Sequence, residues 1–286
     1  MFDVLIVGGG PAGISAAVYL KRFRLNIVII MKDYGTLAKT DHIENYYGFV
    51  EPITGTQLVE NGINQAKRMG ISIIEEEVLN IEYFDTFTVK TNKSEYLAKT
   101  VLLTTGASRS GLKVKGFNDY VGKGISYCAV CDGFIYRNKR IGVVGAGEFM
   151  LEEYEVLKNF TNELTVFTNG VPLSVDIHGA TLVSEPITAI LGDEQIRQVK
   201  TSLASYDVDA LFVAIGTPSA SDFALRMGAF LKNNDIEVDE TFMTNIPGLF
   251  AAGDCIGGFY QIAKAVSDGA HASVAINKYL RQKASL

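Results

Sequence analysis

The chain has 286 residues, 48% of them hydrophobic and 20% charged, which excludes a disordered protein and suggests about two packed domains. Its net charge of −6 argues against a general affinity for nucleic acid or an anionic membrane. Three cysteines (Cys128, Cys131, Cys255) are too few for a disulfide-stapled secreted scaffold. The start, "MFDVLIVGGG", carries Asp3 in place of a basic leader, and its apolar run ends in glycines after one strand length. No apolar stretch reaches the roughly 20 residues of a membrane span. No signal peptide and a cytoplasmic location are therefore expected.

In chain order, residues 3–7 read as a buried strand, "GGGPAG" as a tight turn, "ISAAVYLKRF" as a helix and residues 26–30 as the next strand. Gly8, Gly10 and Gly13 give G-x-G-x-x-G in that setting. The first glycine permits the turn, the second lets the backbone approach a pyrophosphate, and the third lets helix and strand pack closely. An acid for a ribose is expected about 20 residues on; Asp33 stands nearby, just past the strand end. A glycine turn in an α/β unit without a nucleotide gives the same pattern. "GTQLVENGINQAKRMG" reads as an amphipathic helix ending at Gly70. Strand-like runs follow at 71–75, 78–90 and 98–105, the last closed by "TTGA".

The pattern then restarts. "KRIGVVGAGEFMLEEYEVLKNF" again gives strand, turn and helix, and "ELTVF" the next strand. Further strands are expected near 181–190, 195–203 and 209–215, where "VAIGTP" echoes "LLTTGA". After Pro218, "IPGLFAAGDCIGGFYQIAKAVSDGAHASVAINKYL" reads as strand, Gly-Asp turn and a long helix with small residues on one face. A strand ending in Ala-Gly-Asp can place Asp254 at a ribitol hydroxyl of a flavin nucleotide, with the next helix N-terminus near the ring. An ordinary helix N-cap is the other role for that Asp.

Cys128 and Cys131 form a C-x-x-C in "SYCAVCDGF", a spacing that allows a small reversible disulfide ring. A structural zinc site wants four ligands, and His42, His178 and His271 are scattered, so no metal is expected. A buried structural dithiol, with Asp132 as a turn residue before Gly133, is the competing reading. Cys255 fits a small buried residue.

The segments "VGGGPAGISAAVY", "ENYYGF", "TTGA", "CAVCDGFIYRNKR", "VAIGTP" and "PGLFAAGD" stand in the order found in low-molecular-weight thioredoxin reductases, which the chain resembles over nearly its whole length. The resemblance implies an α/β fold of two Rossmann-like three-layer domains. A discontinuous FAD domain would span 1–110 and 217–286, and an inserted, shortened NAD(P)H-like domain 111–216. It implies FAD held by Gly8, Gly10, Ala12, Gly13, Asn45, Val78, Gly106, Asp254 and Ala263. After Tyr260 the family usually has Arg-Gln, whereas Gln261 and Ile262 stand here at the expected flavin edge. The resemblance also implies that Cys131 faces the flavin, that Cys128 attacks thioredoxin, and that Asp132 exchanges protons with sulfur and flavin. A homodimer and a rotating inserted domain belong to the same expectation.

The second glycine turn departs from a working dinucleotide site. Met150 replaces the third small residue and is expected to push the helix outward. Glu148 puts negative charge at the helix N-terminus, with Glu152 and Glu153 near by. Family members that use NADPH carry H-R-R-x-x-x-R after the next strand; here residues 159–196 contain no Lys or Arg. The strand end "FTNG" offers no acid for the ribose of NADH either, and the following helix is missing from the pattern. These losses resemble the ferredoxin-dependent flavin thioredoxin reductases. The expected activity is a flavoprotein disulfide reductase passing electrons from reduced ferredoxin through FAD and Cys128–Cys131 to thioredoxin. Ferredoxin is acidic, so basic docking candidates are Lys21, Arg22 and Arg24, then Lys113, Lys115 and Lys123, then residues 137–140. Two alternatives remain: an NAD(P)H-dependent enzyme with an altered nucleotide site, and a flavin redox sensor without turnover.

Overall fold

The computed structural model describes residues 1–106, 112–216, 218–232 and 235–284. The chain divides into two compact units: Met1–Ser108 with Ser219–Leu286, and Arg109–Pro218. The boundary expected at Gly111 lies outside the described residues, as does Thr217.

In the first unit, β1 (Phe2–Val7), α1 (Pro11–Arg22) and β2 (Ile27–Met31) form the expected βαβ opening. They are followed by α2 (Gly55–Arg68), β3 (Ser72–Glu75), β4 (Val78–Tyr83), β5 (Phe87–Thr91) and β6 (Glu95–Leu103). The parallel core runs β3-β2-β1-β6. Val4, Leu5 and Ile6 of β1 are wholly buried, as a strand covered on both faces must be. Thr54 caps α2 through a reciprocal bond pair with Gln57, and the helix ends before Gly70 in the left-handed region at φ +70°.

The single run expected at 78–90 is instead a hairpin, β4 with β5, turning at residues 84–86. The turn is Phe84-Asp85-Thr86, and the apolar alternation of Ile81 and Tyr83 resumes in the same phase at Phe87 and Val89, so a period-two reading bridges it.

The second unit contains β7 (Ile125–Ser126), α3 (Ala129–Asp132), β8 (Ile141–Val144), α4 (Glu148–Leu157) and β9 (Leu164–Phe167). Then come β10 (Thr181–Val183), β11 (Ile187–Gly192), β12 (Ile196–Thr201), β13 (Ser205–Asp207) and β14 (Ala210–Val213). A parallel sheet runs β10-β9-β8-β14-β7, and β11-β12-β13 form a separate antiparallel sheet. Residues 168–180 join β9 to β10 without a helix, as the shortened pattern implied.

The chain then returns to the first unit with α5 (Ala220–Arg226), β15 (Leu231–Lys232), β16 (Asp235–Ile236), β17 (Leu249–Ala251) and α6 (Ile262–Lys283). β17 pairs with the last three residues of β6, while the first part of β6 pairs with β5. α6 lies on α1 so closely that a Cβ on Gly269 would stand 2.1 Å from the Ala12 carbonyl oxygen. Among the described residues, no helix is long and apolar enough to cross a membrane.

One ion pair fixes the start of the second sheet. The Arg140 guanidinium grips Asp209 at 2.9 and 3.1 Å, and the Arg140 N–H donates to the same carboxylate at 3.0 Å. These residues directly precede β8 and β14. The bond to Arg140 holds the Asp209 carboxyl below its ordinary value of 3.8, against the upward pull of burial. A depressed folded-state pKa stabilises the fold above the ordinary value and loses that effect as pH falls through the lowered one. Asp209→Asn should therefore cost about 0.5–1 kcal/mol at neutral pH, kept small by partial exposure. Urea unfolding of both proteins should show that difference closing as the buffer is taken into acid.

Candidate functional site

The first glycine turn is built by contact with the neighbouring strand. Gly8 adopts φ +110°, and a Cβ there would stand 2.5 Å from the Thr104 carbonyl oxygen. The Thr104 hydroxyl donates to the Val7 and Gly8 carbonyls, each at 2.9 Å. A Cβ on Gly13 would approach the Gly8 oxygen to 2.1 Å, so α1 seats directly on the turn. Gly10 is the N-cap of α1 and has no side-chain cap, and a Cβ there would meet nothing within 4 Å. Pro11 brings no N–H and the Ile14 N–H bonds the Gly10 carbonyl, which leaves the Ala12 and Gly13 N–H groups at the helix start, with no acid in that turn. A cleft of 520 Å³ opens at Gly9, Gly10 and Pro11 and runs past Tyr46, Gly48 and Ile262.

Ala12, buried beneath the turn, packs against Gly253, where a Cβ would come within 2.9 Å of the Ala12 Cβ. Asp254 follows. Its Oδ1 is buried and has no hydrogen-bond partner among the described residues. Burial pushes this carboxyl up, Lys264 pulls it down, and Asp268 adds to the rise. Lys264 Nζ donates to the Gly253 and Gly257 carbonyls at 2.8 and 2.6 Å and pairs with Asp268 at 2.8 Å. Asp268 in turn accepts the Gly253 N–H at 3.2 Å. Asn45 Nδ2 donates to Gln261 Oε1 at 2.9 Å, across 216 residues of sequence.

Gly8, Gly10, Ala12, Gly13 and Asp254 are thereby gathered around one turn. Asn45 and Gln261 meet each other, Ile262 opens α6, and Ala263 is exposed beside it. Asp33, Val78 and Gly106 stand at the end of β2, the start of β4 and beyond β6, apart from those contacts. Asp33 is exposed, and its Oδ1 accepts the Gly35 N–H at 2.8 Å to close a turn. The residues fit a flavin dinucleotide: an uncapped helix end suits its pyrophosphate, and the orphaned Asp254 oxygen suits a hydroxyl donor. Sequence reading missed Thr104, Lys264 and Asp268. The i,i+4 Lys–Asp spacing was the available signal for the last two.

The dithiol is carried by the second unit. Cys128 and Cys131 form a disulfide of 2.05 Å. Cys128 is the N-cap of α3, and the Cys131 N–H donates to its sulfur at 3.1 Å. Cys128 is wholly buried and Cys131 half-buried. Asp132 Oδ2 accepts from the Ser126 hydroxyl at 2.7 Å, and Ser126 Oγ accepts the Cys128 N–H at 3.1 Å, so one serine links the acid to the Cys128 backbone. Val130, Phe134 and Ile135 expose 58–63% of their surface around this segment. Glu153 from α4, only 2% exposed, accepts the Ala129 N–H at 2.6 Å. It was expected near a phosphate site; the structure turns it inward to the dithiol. Cys255 lies 1% exposed, and burial pushes its thiol up to about 12, which keeps it protonated and inert. Among the described residues no group of His, Cys, Asp and Glu could hold a metal ion.

The second glycine turn repeats the first up to a point. A Cβ on Gly145 would stand 2.2 Å from the Ala214 carbonyl oxygen, as Gly8 does against Thr104. Beyond that the two differ. Met150 is fully buried in a cluster with Phe149, Tyr154 and Phe212, so it is core and does not occupy the cofactor's space. Glu148 is the exposed first residue of α4. Ser174, from the segment after β9, donates its N–H and its hydroxyl to the Ala146 carbonyl, both at 2.9 Å. Its Oγ stands 3.5 Å from where a Cβ on Gly147 would be. Leu173, Val175 and Ile177 pack on the core around it, and the Tyr154 hydroxyl donates to His178 at 2.8 Å. At the strand end, Asn169 Oδ1 is taken by the Ile187 N–H at 2.8 Å.

A nucleotide cradle on one parallel sheet and a C-x-x-C disulfide on another define a flavin-dependent disulfide oxidoreductase. The family model for pyridine nucleotide-disulphide oxidoreductases matches residues 2–269. The thioredoxin reductase of Treponema pallidum (strain Nichols) is 33% identical, covering 98% of this chain and 97% of its own. That of Mycoplasma genitalium is also 33% identical, covering 94% and 92%. Among solved structures, the atypical thioredoxin reductase TRi from Desulfovibrio vulgaris Hildenborough superposes with a TM-score of 0.92 at 34% identity, over 100% of both chains. A ferredoxin-flavin thioredoxin reductase from Clostridium acetobutylicum superposes at 0.72 and 27% identity, over 100% of this chain and 99% of its own. The chain belongs to the pyridine nucleotide-disulphide oxidoreductases and, within them, to the thioredoxin reductases, flavoproteins whose cofactor is FAD.

Asp254→Ala removes the buried carboxylate oxygen that has no partner among the described residues. The variant should fold with an unchanged melting temperature as apoprotein and lose FAD about tenfold more readily. The ratio of flavin to protein absorbance after dialysis checks this.

Proposed function

We propose that the protein reduces thioredoxin with its Cys128–Cys131 dithiol and takes its electrons from reduced ferredoxin, not from NADH or NADPH. The observation that carries the reading is the crowding of the second glycine turn. Ser174 is tied to the Ala146 carbonyl, with its Oγ 3.5 Å from where a Cβ on Gly147 would be, whereas a Cβ on Gly10 would meet nothing within 4 Å. Glu148 adds negative charge at the first position of α4, where a pyrophosphate would bind. No guanidinium or ammonium between residues 159 and 196 is available for a 2′-phosphate, and Asn169 is already committed. The FAD of this family, when bound, supplies a carrier that accepts electrons singly or in pairs, which suits a one-electron protein donor.

The reduced dithiol acts by exchange. The Cys128 thiolate attacks one sulfur of the thioredoxin disulfide, forming a mixed disulfide and releasing the other sulfur as a thiolate that takes a proton. Cys131 then attacks Cys128 Sγ, expels the second thioredoxin thiol and closes the disulfide seen here. Attack by Cys128 requires exposure of a sulfur that is buried in this structure. Asp132, joined to the Cys128 N–H through Ser126, is placed to hold a proton beside the pair. Val130, Phe134 and Ile135 offer an exposed apolar surface for the partner.

For an acidic donor, Arg22, Arg24, Lys113, Lys115, Lys123, Arg137 and Lys139 are exposed. Arg140 is engaged with Asp207 and Asp209, and Lys21 with the Gly70 carbonyl, so those two contribute less. The neighbour from Clostridium acetobutylicum is itself described as a ferredoxin-flavin enzyme. A homodimer in the cytoplasm is part of the same proposal and rests on the family resemblance.

The anaerobic holoenzyme, mixed with reduced ferredoxin, should lose its flavin absorbance rapidly, and NADH or NADPH at micromolar concentration should leave it oxidised. Rapid bleaching by either nucleotide overturns the assignment of the donor. Phe134→Ala should raise the KM for thioredoxin about tenfold, or ~1.4 kcal/mol, with flavin reduction unaltered.

A further inference from the structure

Glu153 is the buried carboxylate that neither the flavin cradle nor the exchange step uses. It sits on α4, the helix that would begin a dinucleotide site, but its side chain points to the other end of the unit's chemistry. Oε2 lies 2.6 Å from the amide nitrogen of Ala129, the residue directly after Cys128. The side chain is 2% exposed, and Ala129 is wholly buried in the same cluster as Tyr154 and Leu157. A charge held this deep interacts strongly with its neighbours, because little water screens it.

We propose that Glu153 is a positioning residue of the dithiol: it holds the first turn of the C-x-x-C segment, and its negative charge disfavours the Cys128 thiolate, making the ionised dithiol a stronger reductant. The inference rests on the disulfide-exchange reading above and deepens it. In the oxidised pair neither sulfur is charged, so the carboxylate costs nothing there. On reduction the disulfide gains two electrons and becomes two sulfurs, of which Cys128 is the one that ionises to attack. Its thiolate accepts the Cys131 N–H in the geometry already present at 3.1 Å. The Ala129 N–H, the next donor along, is committed to Glu153 and stays unavailable to sulfur. A thiolate that is destabilised in this way gives up its electron pair to a partner disulfide more readily. Other titratable groups near the pair within this unit include Asp132 on α3, Tyr127 and Tyr136 on either side of it, and Glu152 and Tyr154 on α4. Burial pushes Tyr136 and Tyr154 up, so both stay neutral where thiols titrate.

The test uses FAD-loaded protein carrying Cys131→Ser and Cys255→Ala, which leaves Cys128 as the one thiol. Its ionisation is followed against pH by the ultraviolet absorbance of the thiolate, which needs no access to the buried sulfur, with and without Glu153→Gln. Gln keeps an oxygen for the Ala129 N–H and removes the charge. The thiolate fraction of Cys128 at neutral pH should rise about tenfold in Glu153→Gln. With both cysteines present, the equilibrium of the pair against glutathione near pH 9 should shift toward the dithiol by about tenfold, or ~30 mV for two electrons. A Glu153→Gln profile that superposes on the parent's, or one that moves the other way, overturns the proposal and leaves Glu153 a structural tie. Should Glu153→Gln not fold, Glu153→Met, which removes the charge at similar volume, is titrated in its place against the same two outcomes. Failure of the parent holoenzyme, with both cysteines present and reduced, to reduce thioredoxin would instead count against the exchange reading on which the proposal stands.

Discussion

The close approach of a glycine to the carbonyl of a neighbouring strand is the constraint on which both units are built. Gly8 meets the Thr104 oxygen and Gly145 meets the Ala214 oxygen, each at a distance no side chain tolerates. Those contacts fix where the chain leaves β1 and β8 and therefore where α1 and α4 begin. From that shared start the units diverge by the residue one turn later. Gly13 lets α1 settle onto the turn with its amide end open. Met150 instead buries in the core beneath α4, and a separate segment closes over the turn.

That segment replaces a helix without leaving the core bare. Leu173, Val175 and Ile177 cover the apolar side of the second sheet, and Tyr154 anchors it by bonding the His178 carbonyl. Burial of those side chains stabilises the loop by the same hydrophobic term that would have held a helix. α4 keeps its place against β8 and is left free to serve the thiols, through Glu153 at Ala129. A helix that opens on a glycine turn thus frames a disulfide.

What the sequence revealed follows from the range of the interactions involved. Gly8, Gly10 and Gly13 were legible because their spacing alone encodes a turn and a helix start, and Cys128 with Cys131 because ring closure needs only two intervening residues. The helix end at Gly70 was legible for the same local reason. The hairpin at residues 84–86 was hidden because the apolar alternation of Ile81 and Tyr83 resumes in phase at Phe87 and Val89 beyond the turn. Met150 and Glu153 were misplaced because their i positions on α4 say nothing of which neighbour each side chain faces. Ser174 carried no signal at all: its role depends on a loop folding back 28 residues to Ala146. Lys264 ran against the expectation of acids in a first helical turn, and only the return of α6 to Gly253 explains it.

The interrupted order of the first unit has a bearing on how the chain is made. Ser15 bonds the Val266 carbonyl across 251 residues, and α1 cannot seat until α6 exists. A ribosome adding roughly 5–20 residues per second needs on the order of 10 s to traverse the inserted unit. For that interval β1, β2 and α1 are outside the tunnel with one face of their sheet uncovered and no β17 to pair with β6. The insert, whose residues 109–218 are continuous in sequence, is synthesised whole before its host is. Nascent chains of this protein therefore pass through a period in which the dithiol is assembled and the flavin cradle is not, and chaperone demand falls on the half of the molecule that was synthesised first.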